Sequence, residues 1–257
     1  MSINLNKAKE VFASYVRNYN PDNGMVRLKI VHTYKVVEIA KEIAEQLHLD
    51  EEDAELTELI ALLHDIGRFE QIRRYGDFRD HLTIDHAKLG ADLLEEGLLQ
   101  EFIEDRQYDD IILKAIHMHN RYAIDEKLDE RTLLHAKLIR DADKTDIFRV
   151  RVEDDIRDIQ SFTKKELEDS SVSEDVYKTF LSHQCINRET VVTPADSWIA
   201  GAAMIFDYNF EPGLAILKRE HRMDDMILRV HYTNLETAKK MEQVRITANT
   251  WIESRLH

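Results

Sequence analysis

Glycine and proline are scarce in this sequence, which has only 7 glycines and 3 prolines among its 257 residues. These two residues end or kink helices and form the tight turns that connect strands. Leu, Ile, Glu, Lys, Arg and Ala are plentiful instead, and most of them favour helices. The sequence therefore predicts an all-α protein with almost no strand.

The composition allows a sizeable core, because 43% of the residues are hydrophobic. Helical periodicity runs through most of the chain and is interrupted by a polar, serine-rich segment at residues 166–175. We interpret this segment as an exposed connection. It predicts a helical domain over 1–165 and a C-terminal helical region over 176–257 that packs on it, or one continuous domain.

Charge and cysteine content indicate which partners and which cellular compartment to expect for the protein. The formal net charge of -15 opposes binding to a nucleic-acid backbone, so an anionic substrate would need local arginines, lysines or a metal. The single Cys185 cannot form an intramolecular disulfide, and the N-terminal stretch lacks the apolar core of a signal peptide. The apolar stretch 198–206 is too short to cross a bilayer and is expected in the core. We expect a cytoplasmic protein that binds neither nucleic acid nor membranes, with a homo-oligomer left open.

The buried faces of two predicted helices carry polar residues. One stripe of residues three or four apart includes His32, and a second runs directly into His64 and Asp65. Gly67 is predicted to end this second helix. The apolar members of the two stripes are Val36, Ile39, Ala40, Ile43 and Leu47, then Leu56, Leu59, Ile60 and Leu63.

Three further stripes add polar residues to the core. His86 shares a helix face with Gly90, whose missing side chain permits another backbone to approach closely. His119 ends a later stripe, and periodicity alone leaves Asp141 and Asp143 as alternatives on the next helix. A lone inward histidine is commonly a hydrogen-bonded core residue, but burying so many ionisable groups without partners costs several kcal/mol each. A divalent cation would supply the partner, since imidazole and carboxylate together suit Mn, Fe, Zn or Ni.

Two stretches resemble the HD superfamily of metal-dependent phosphohydrolases: LIALLHDIGRF, which carries His64 and Asp65, and LIRDADKTD. The similarity spans roughly residues 25–150. It implies an HD-domain helical bundle with additional C-terminal helices. It also implies a metal site that joins His32 and the HD pair to Asp143, the aspartate of the AD dipeptide.

Two more stretches resemble the subset of HD proteins that hold two metals. IDHAKLGADLL implies His86 as a further ligand, and KAIHMHNR implies His119, with His117 left open. In that arrangement Asp65 bridges two ions. The resemblance therefore implies one or two divalent ions, with Mn, Fe, Mg, Zn and Ni not distinguished.

The resemblance also implies a reaction, the hydrolysis of a nucleotide or another small phosphorylated metabolite by a metal-activated water. Asp65, Arg68 and Lys144 are the expected catalytic residues, and Arg121 is a further candidate for contacting phosphate. Arg68 stands where the family usually has lysine, so the positive charge is kept with a different geometry. Three more arginines follow it and are interpreted either as a solvated loop or as part of a phosphate clamp: Arg73, Arg74 and Arg79.

Missing motifs make two branches of the superfamily doubtful. The sequence has neither the GYP motif of cyclic di-GMP phosphodiesterases nor the ADRLHN stretch of (p)ppGpp hydrolases. What remains is a general HD hydrolase. Two alternatives stay open, an HD-type diiron oxygenase with the same six ligands and a nonenzymatic nucleotide sensor.

Overall fold

The computed structural model describes residues 3–256, and helix is the only regular secondary structure in that range. The prediction of an all-α fold is therefore confirmed. Among the described helices, none combines the length and the apolar composition that crossing a bilayer requires.

The α-helices are named here in chain order. The first group comprises α1 (Leu5–Val16), α2 (Gly24–Gln46), α3 (Glu51–Leu63), α4 (Ile66–Tyr75), α5 (His86–Leu93), α6 (Leu99–Phe102), α7 (Asp109–Met118) and α8 (Glu130–Glu153). The second comprises α9 (Ile156–Ile159), α10 (Lys164–Glu168), α11 (Glu174–Leu181), α12 (Pro194–Ala202), α13 (Glu211–Arg219), α14 (Arg222–Leu228) and α15 (Leu235–Arg255). The loops between these helices contain a π-helical turn at Leu94–Leu98. They also contain short 3-10 segments at Asp80–Leu82, Arg106–Tyr108, Arg188–Thr190 and Ala203–Asp207.

The chain divides into two compact units, Met1–Asp146 and Ile147–His257, and the boundary lies inside α8. The sequence places the boundary later, in an exposed connection at 166–175. In the structure this segment belongs to the second unit.

The segment 166–175 is not an exposed connection because part of it is core. Leu167 and Val172 are buried among the apolar residues of the second unit. The serine content reflects hydrogen bonding rather than a flexible loop, since the Ser170 hydroxyl accepts a hydrogen bond from the Ala195 N–H at 3.0 Å. Serine composition alone does not distinguish a solvated loop from a segment that satisfies neighbouring helix ends.

In the first unit, α2 packs against α3. Both helices begin with a side-chain cap: Asn23 Oδ1 accepts from the Met25 N–H, and Asp50 Oδ1 accepts from the Asp53 N–H, each at 2.9 Å. His32 lies on the buried face of α2, as its stripe predicts. The apolar side chains buried on the two helices include Val36, Val37, Ala40, Ile43, Leu56, Leu59, Ile60 and Leu63.

The junction between α3 and α4 holds the adjacent imidazole and carboxylate. Because α3 ends at Leu63 and α4 begins at Ile66, His64 and Asp65 lie between the two helices, and both are buried. The prediction that Gly67 ends α3 is wrong. This glycine lies in the first turn of α4 instead, because the chain resumes a helix directly after the pair.

Two glycines bring α4 and α5 into backbone contact. A Cβ atom built on Gly67 would lie 2.6 Å from the Gly90 nitrogen and closer still to the backbone oxygen of His86. A Cβ atom on Gly90 would lie 3.2 Å from the Gly67 nitrogen. A side chain on Gly67 could not be accommodated without moving backbone, so the close approach predicted at Gly90 is confirmed.

In the second unit, the helices surround an apolar core centred on α12 and α15. Trp198 is fully buried, and its indole N–H donates to the Met226 carbonyl at 3.1 Å. The stretch 198–206 contributes most of its apolar residues to this core, as expected. The last helix, α15, contributes Met241, Val244, Ala248 and Ile252 to this core.

The glycine contact gives a stability prediction. Gly67→Ala should lower the free energy of unfolding by about 1–3 kcal/mol, because the new methyl group forces α4 and α5 apart. Urea unfolding followed by circular dichroism measures the difference. Gly24→Ala is the matched control, since the nearest atom to its Cβ would be Arg27 Nη2 at 3.9 Å. Equal stability of the two variants would contradict the contact.

Candidate metal centre

Six ionisable side chains from separate elements of the first unit meet at one buried position. They come from α2, from the α3–α4 junction, from the start of α5, from the residue after α7 and from α8. The helices are thus arranged so that their polar positions converge. The six residues are His32, His64, Asp65, His86, His119 and Asp143.

Asp65 lies at the centre of this cluster and directs its two oxygens to different histidines. Its Oδ2 is 3.6 Å from the Nε2 atoms of both His32 and His64. Its Oδ1 is 3.2 Å from His86 Nε2 and 3.9 Å from His119 Nε2. One carboxylate therefore faces two pairs of imidazoles.

Asp143 completes the first of two three-residue groups. Its Oδ1 is 3.0 Å from His32 Nε2 and 3.8 Å from His64 Nε2. In this group, as in the second group formed by Asp65, His86 and His119, three ligand atoms lie within 4.8 Å of one another. Each group has the spacing and the donor types that a divalent cation accepts.

The four imidazoles are held in the same way, by a hydrogen bond at Nδ1. His32 Nδ1 is 2.7 Å from Asp146 Oδ2, and His86 Nδ1 is 2.6 Å from Asp80 Oδ2. The Nδ1 atoms of the other two, His64 and His119, each lie 2.7 Å from a backbone carbonyl three residues earlier. Metal-binding histidines are commonly fixed in this way, with the second nitrogen left for the ion.

An orphaned atom tests whether a cation fits. His64 Nε2 is fully buried and has no hydrogen-bond partner, although it points toward two carboxylates. A buried imidazole nitrogen without a partner is costly, and a cation bound there would satisfy it. The donor set therefore fits a metal ion.

The protonation of the imidazoles agrees with this fit. Burial, together with the nearby His86 and His64, lowers the pKa of His119 to about 3, so this side chain is neutral and can donate a lone pair. Burial and Lys29 favour neutral His32, but hydrogen bonds to Asp143 and Asp146 raise its pKa to about 9. A divalent cation can replace the proton that His32 shares with these carboxylates.

Asp80 supports the centre from outside. Its Oδ1 accepts hydrogen bonds from Arg68 Nη1 at 2.6 Å and from Gln71 Nε2 at 3.0 Å, while its Oδ2 holds His86. Burial alone would raise the pKa of Asp80, but His86 and Arg68 outweigh burial and keep the pKa well below its usual value. Asp80, Asp85 and His86 also have ligand atoms close enough together to hold a metal ion. In the structure, however, Asp80 Oδ2 is engaged in the hydrogen bond to His86 Nδ1.

Lys29 is a residue of this centre that the sequence analysis missed. Its Nζ lies 2.7 Å from Asp65 Oδ2, and Arg68 Nε lies 3.4 Å from Asp65 Oδ1. Both cations also lie near the Phe78 ring, at 5.9 and 6.0 Å from its centroid. Lys29 precedes His32 by three residues on one helix, and residues at this spacing lie on the same helix face. This spacing could have indicated that Lys29 lies beside the ligands.

The structure separates the arginines that follow α3. Arg73 and Arg74 both pair with Glu70, and Arg79 pairs with Asp77. Because local carboxylates hold these three side chains, the four-arginine phosphate clamp is not formed. Only Arg68 lies at the cluster.

The remaining predicted residues lie around the cluster. Lys144 follows Asp143 directly on α8 and is buried. Arg121 lies 3.3 Å from Asp85 and donates to His117 Nε2 at 3.0 Å. His117 thus belongs to neither ligand group. The catalytic roles of Asp65, Arg68 and Lys144 stay predictions.

Residues 30–147 match the model of the protein family described as HD domain. No curated protein and no solved structure matches the chain. The matched range contains both ligand groups and the two aspartates that anchor His32 and His86. Lys29 lies one residue before it begins.

Asp65→Asn should abolish tight metal binding, because the amide removes the charge that faces both ligand groups while keeping the side-chain size. Helical content should remain nearly unchanged. Metal analysis of the purified protein, with circular dichroism in parallel, tests this. Asp92→Asn is the control, as this half-exposed aspartate on α5 pairs with Lys88. Full metal retention by Asp65→Asn would contradict its central role.

His86→Ala and His119→Ala should each lower the ratio of metal to protein from about two toward about one, because each removes a ligand of the second group only. The control is His117→Ala, which changes a neighbouring histidine outside both groups and should leave the ratio unchanged. A wild-type ratio near one that neither substitution alters would reduce the centre to a single ion.

Proposed function

We propose that the protein hydrolyses the phosphate ester of a nucleotide or another small phosphorylated metabolite. Its residues 30–147 match the HD domain family, whose members are generally metal-dependent hydrolases. The single observation that supports this is the position of Asp65 between two histidine pairs, with one oxygen toward each. A carboxylate shared in this way suits two ions held side by side.

The proposed ligands form two groups, which follow the two clusters of ligand atoms in the structure. His32, His64 and Asp143 would hold one ion, and His86 and His119 would hold the other, with Asp65 shared between them. Divalent ions bound at such sites supply Lewis acidity to a phosphoryl group and to water. HD domains bind divalent metals.

The residues of the chain supply the positive charge that a phosphate ester needs. The net charge of -15 repels anions, so binding depends on local cations. Lys29 and Arg68 provide two of them, and both touch Asp65. We propose that they bind phosphate oxygens at the edge of the metal centre.

Arg68 is better positioned than a free surface arginine. Its Nη1 donates to Asp80, to Gln71 Oε1 at 2.9 Å and to the Phe78 carbonyl, so the direction of its guanidinium is fixed. A fixed guanidinium loses little freedom when it binds a phosphate. Lys144 stays a further candidate for binding phosphate.

The function is tested with protein stripped of metal by a chelator and reloaded without oxygen. Reloading with Mn should restore the release of inorganic phosphate from at least one member of a panel of nucleotides and sugar phosphates, because hydrolysis needs Lewis acidity and no change of valence. Colorimetric phosphate release measures it. Asp65→Asn treated in the same way is the control and should release none.

Two results would replace this proposal with the alternatives. Turnover of an organic substrate that requires iron and consumes oxygen, without phosphate release, would indicate an HD-type diiron oxygenase. Tight binding of a nucleotide without turnover by fully loaded protein would indicate a nucleotide sensor.

A further inference from the structure

Asp80 contacts two side chains that have different tasks in the proposed site. It begins the 3-10 segment Asp80–Leu82 in the loop between α4 and α5. Its Oδ2 lies 2.6 Å from His86 Nδ1, and its Oδ1 accepts a hydrogen bond from Arg68 Nη1 at 2.6 Å. His86 belongs to the second ligand group, and Arg68 is one of the two cations proposed to bind phosphate. One carboxylate therefore holds a metal ligand with one oxygen and a phosphate-binding side chain with the other.

The orientation of the Asp80 carboxylate is fixed by two amides. Gln71 is fully buried, and its Nε2 donates to Asp80 Oδ1 at 3.0 Å. The same nitrogen donates to Thr83 Oγ1 at 2.7 Å and to the Ile84 carbonyl at 2.8 Å, so it also fixes the rest of the loop. On the other side, Asn120 Nδ2 donates to Asp80 Oδ2 at 3.3 Å. Each oxygen thus has two partners, and turning the carboxylate would break hydrogen bonds on both sides.

Asp80 also closes a ring of four side chains. Arg68 and His86 both extend from Asp80 to the same oxygen of Asp65. Arg68 Nε lies 3.4 Å from Asp65 Oδ1, and His86 Nε2 lies 3.2 Å from it. Because the ring is closed, losing the Asp80 contacts would free the guanidinium and the imidazole to move relative to each other.

We propose that Asp80 is a positioning residue that couples metal binding in the second ligand group to phosphate binding by Arg68. The proposal rests on the part of the proposed function that assigns Arg68 to phosphate. A phosphate oxygen bound by Arg68 lies beside the second ligand group only while Arg68 and His86 both keep their directions. Metal binding and phosphate binding are therefore linked, and each strengthens the other.

Titration of the chelated full chain with Mn, followed by calorimetry, tests the metal side of the coupling. Asp80→Asn should weaken binding of the second ion by about tenfold or more and leave the first ion unchanged, because removing the anchor of a ligating histidine lowers metal affinity. The amide keeps one acceptor oxygen, so it can hold His86 or Arg68 but not both. Asparagine also keeps the side-chain size, and the circular dichroism of the variant should match that of the wild type.

Asp77→Asn is the matched control for this titration. Asp77 and Asp80 lie in the same loop, the side chain of each is 25% exposed, and each pairs with an arginine. Asp77 pairs with Arg79, outside the ring, so its substitution should leave the binding of both ions unchanged. Equal weakening of both ions in Asp80→Asn, or the same loss of the second ion in Asp77→Asn, would overturn the proposal.

Titration of the Mn-saturated chain with inorganic phosphate tests the coupling itself. Arg68→Gln should weaken phosphate binding by about tenfold or more when Asp80 is present. In the Asp80→Asn background the same substitution should have a several-fold smaller effect, because Arg68 has already lost its direction there. A general structural role for Asp80 would instead give additive effects. Additive effects, or unchanged phosphate affinity in Arg68→Gln, would overturn the coupling.

These measurements record binding, so their outcome is distinguishable from that of the proposed function. Release of phosphate from no ester of the panel would contradict hydrolysis. Selective loss of the second ion and non-additive phosphate binding would still support the role of Asp80.

Discussion

The charge of Asp65 is the constraint on which the first unit depends. This carboxylate is only 2% exposed, and burying it without compensation would cost several kcal/mol. Lys29 and the surrounding imidazoles compensate it, and they outweigh the effect of burial, so the pKa of Asp65 stays well below its usual value. Helices that are far apart in the sequence must therefore converge on one carboxylate. Lys29 of α2 and His86 of α5 are two of the compensating groups, whereas α8 contributes a second carboxylate, Asp143, which faces His32 and His64.

Much of this arrangement could be predicted from the sequence. Periodicity placed His32 on a buried face, and the resemblance to a family chose Asp143 over Asp141, a choice that periodicity left open. The structure brings Asp143 into the first ligand group. The anchors of the histidines were not predicted, because the bond from His32 to Asp146 spans 114 positions and depends on tertiary packing. Asp146 follows Asp143 by three residues on α8, so the shared helix face was a usable signal.

Other predictions failed because composition is ambiguous about context. Gly67 has the properties of a residue that ends a helix, but it lies in the first turn of α4, where α5 approaches closely. The segment 166–175 has the composition of a linker, yet Leu167 and Val172 join the core. For the arginines close in sequence, a solvated loop and a phosphate clamp were both left open, and three of them pair with Glu70 or Asp77 instead of forming a clamp. In each case a residue that is close in space determined the role, and composition and motifs do not show which residues are close in space.

The glycine contact between α4 and α5 also sets a dimension of the metal centre. Gly67 follows Asp65 by two residues, and the backbone oxygen that it faces belongs to His86. The backbones that carry Asp65 and His86 are thus packed against each other beside the side-chain contact, in which Asp65 Oδ1 lies 3.2 Å from His86 Nε2. If the backbone contact keeps this spacing nearly constant, the spacing itself would favour ions whose radius fits it.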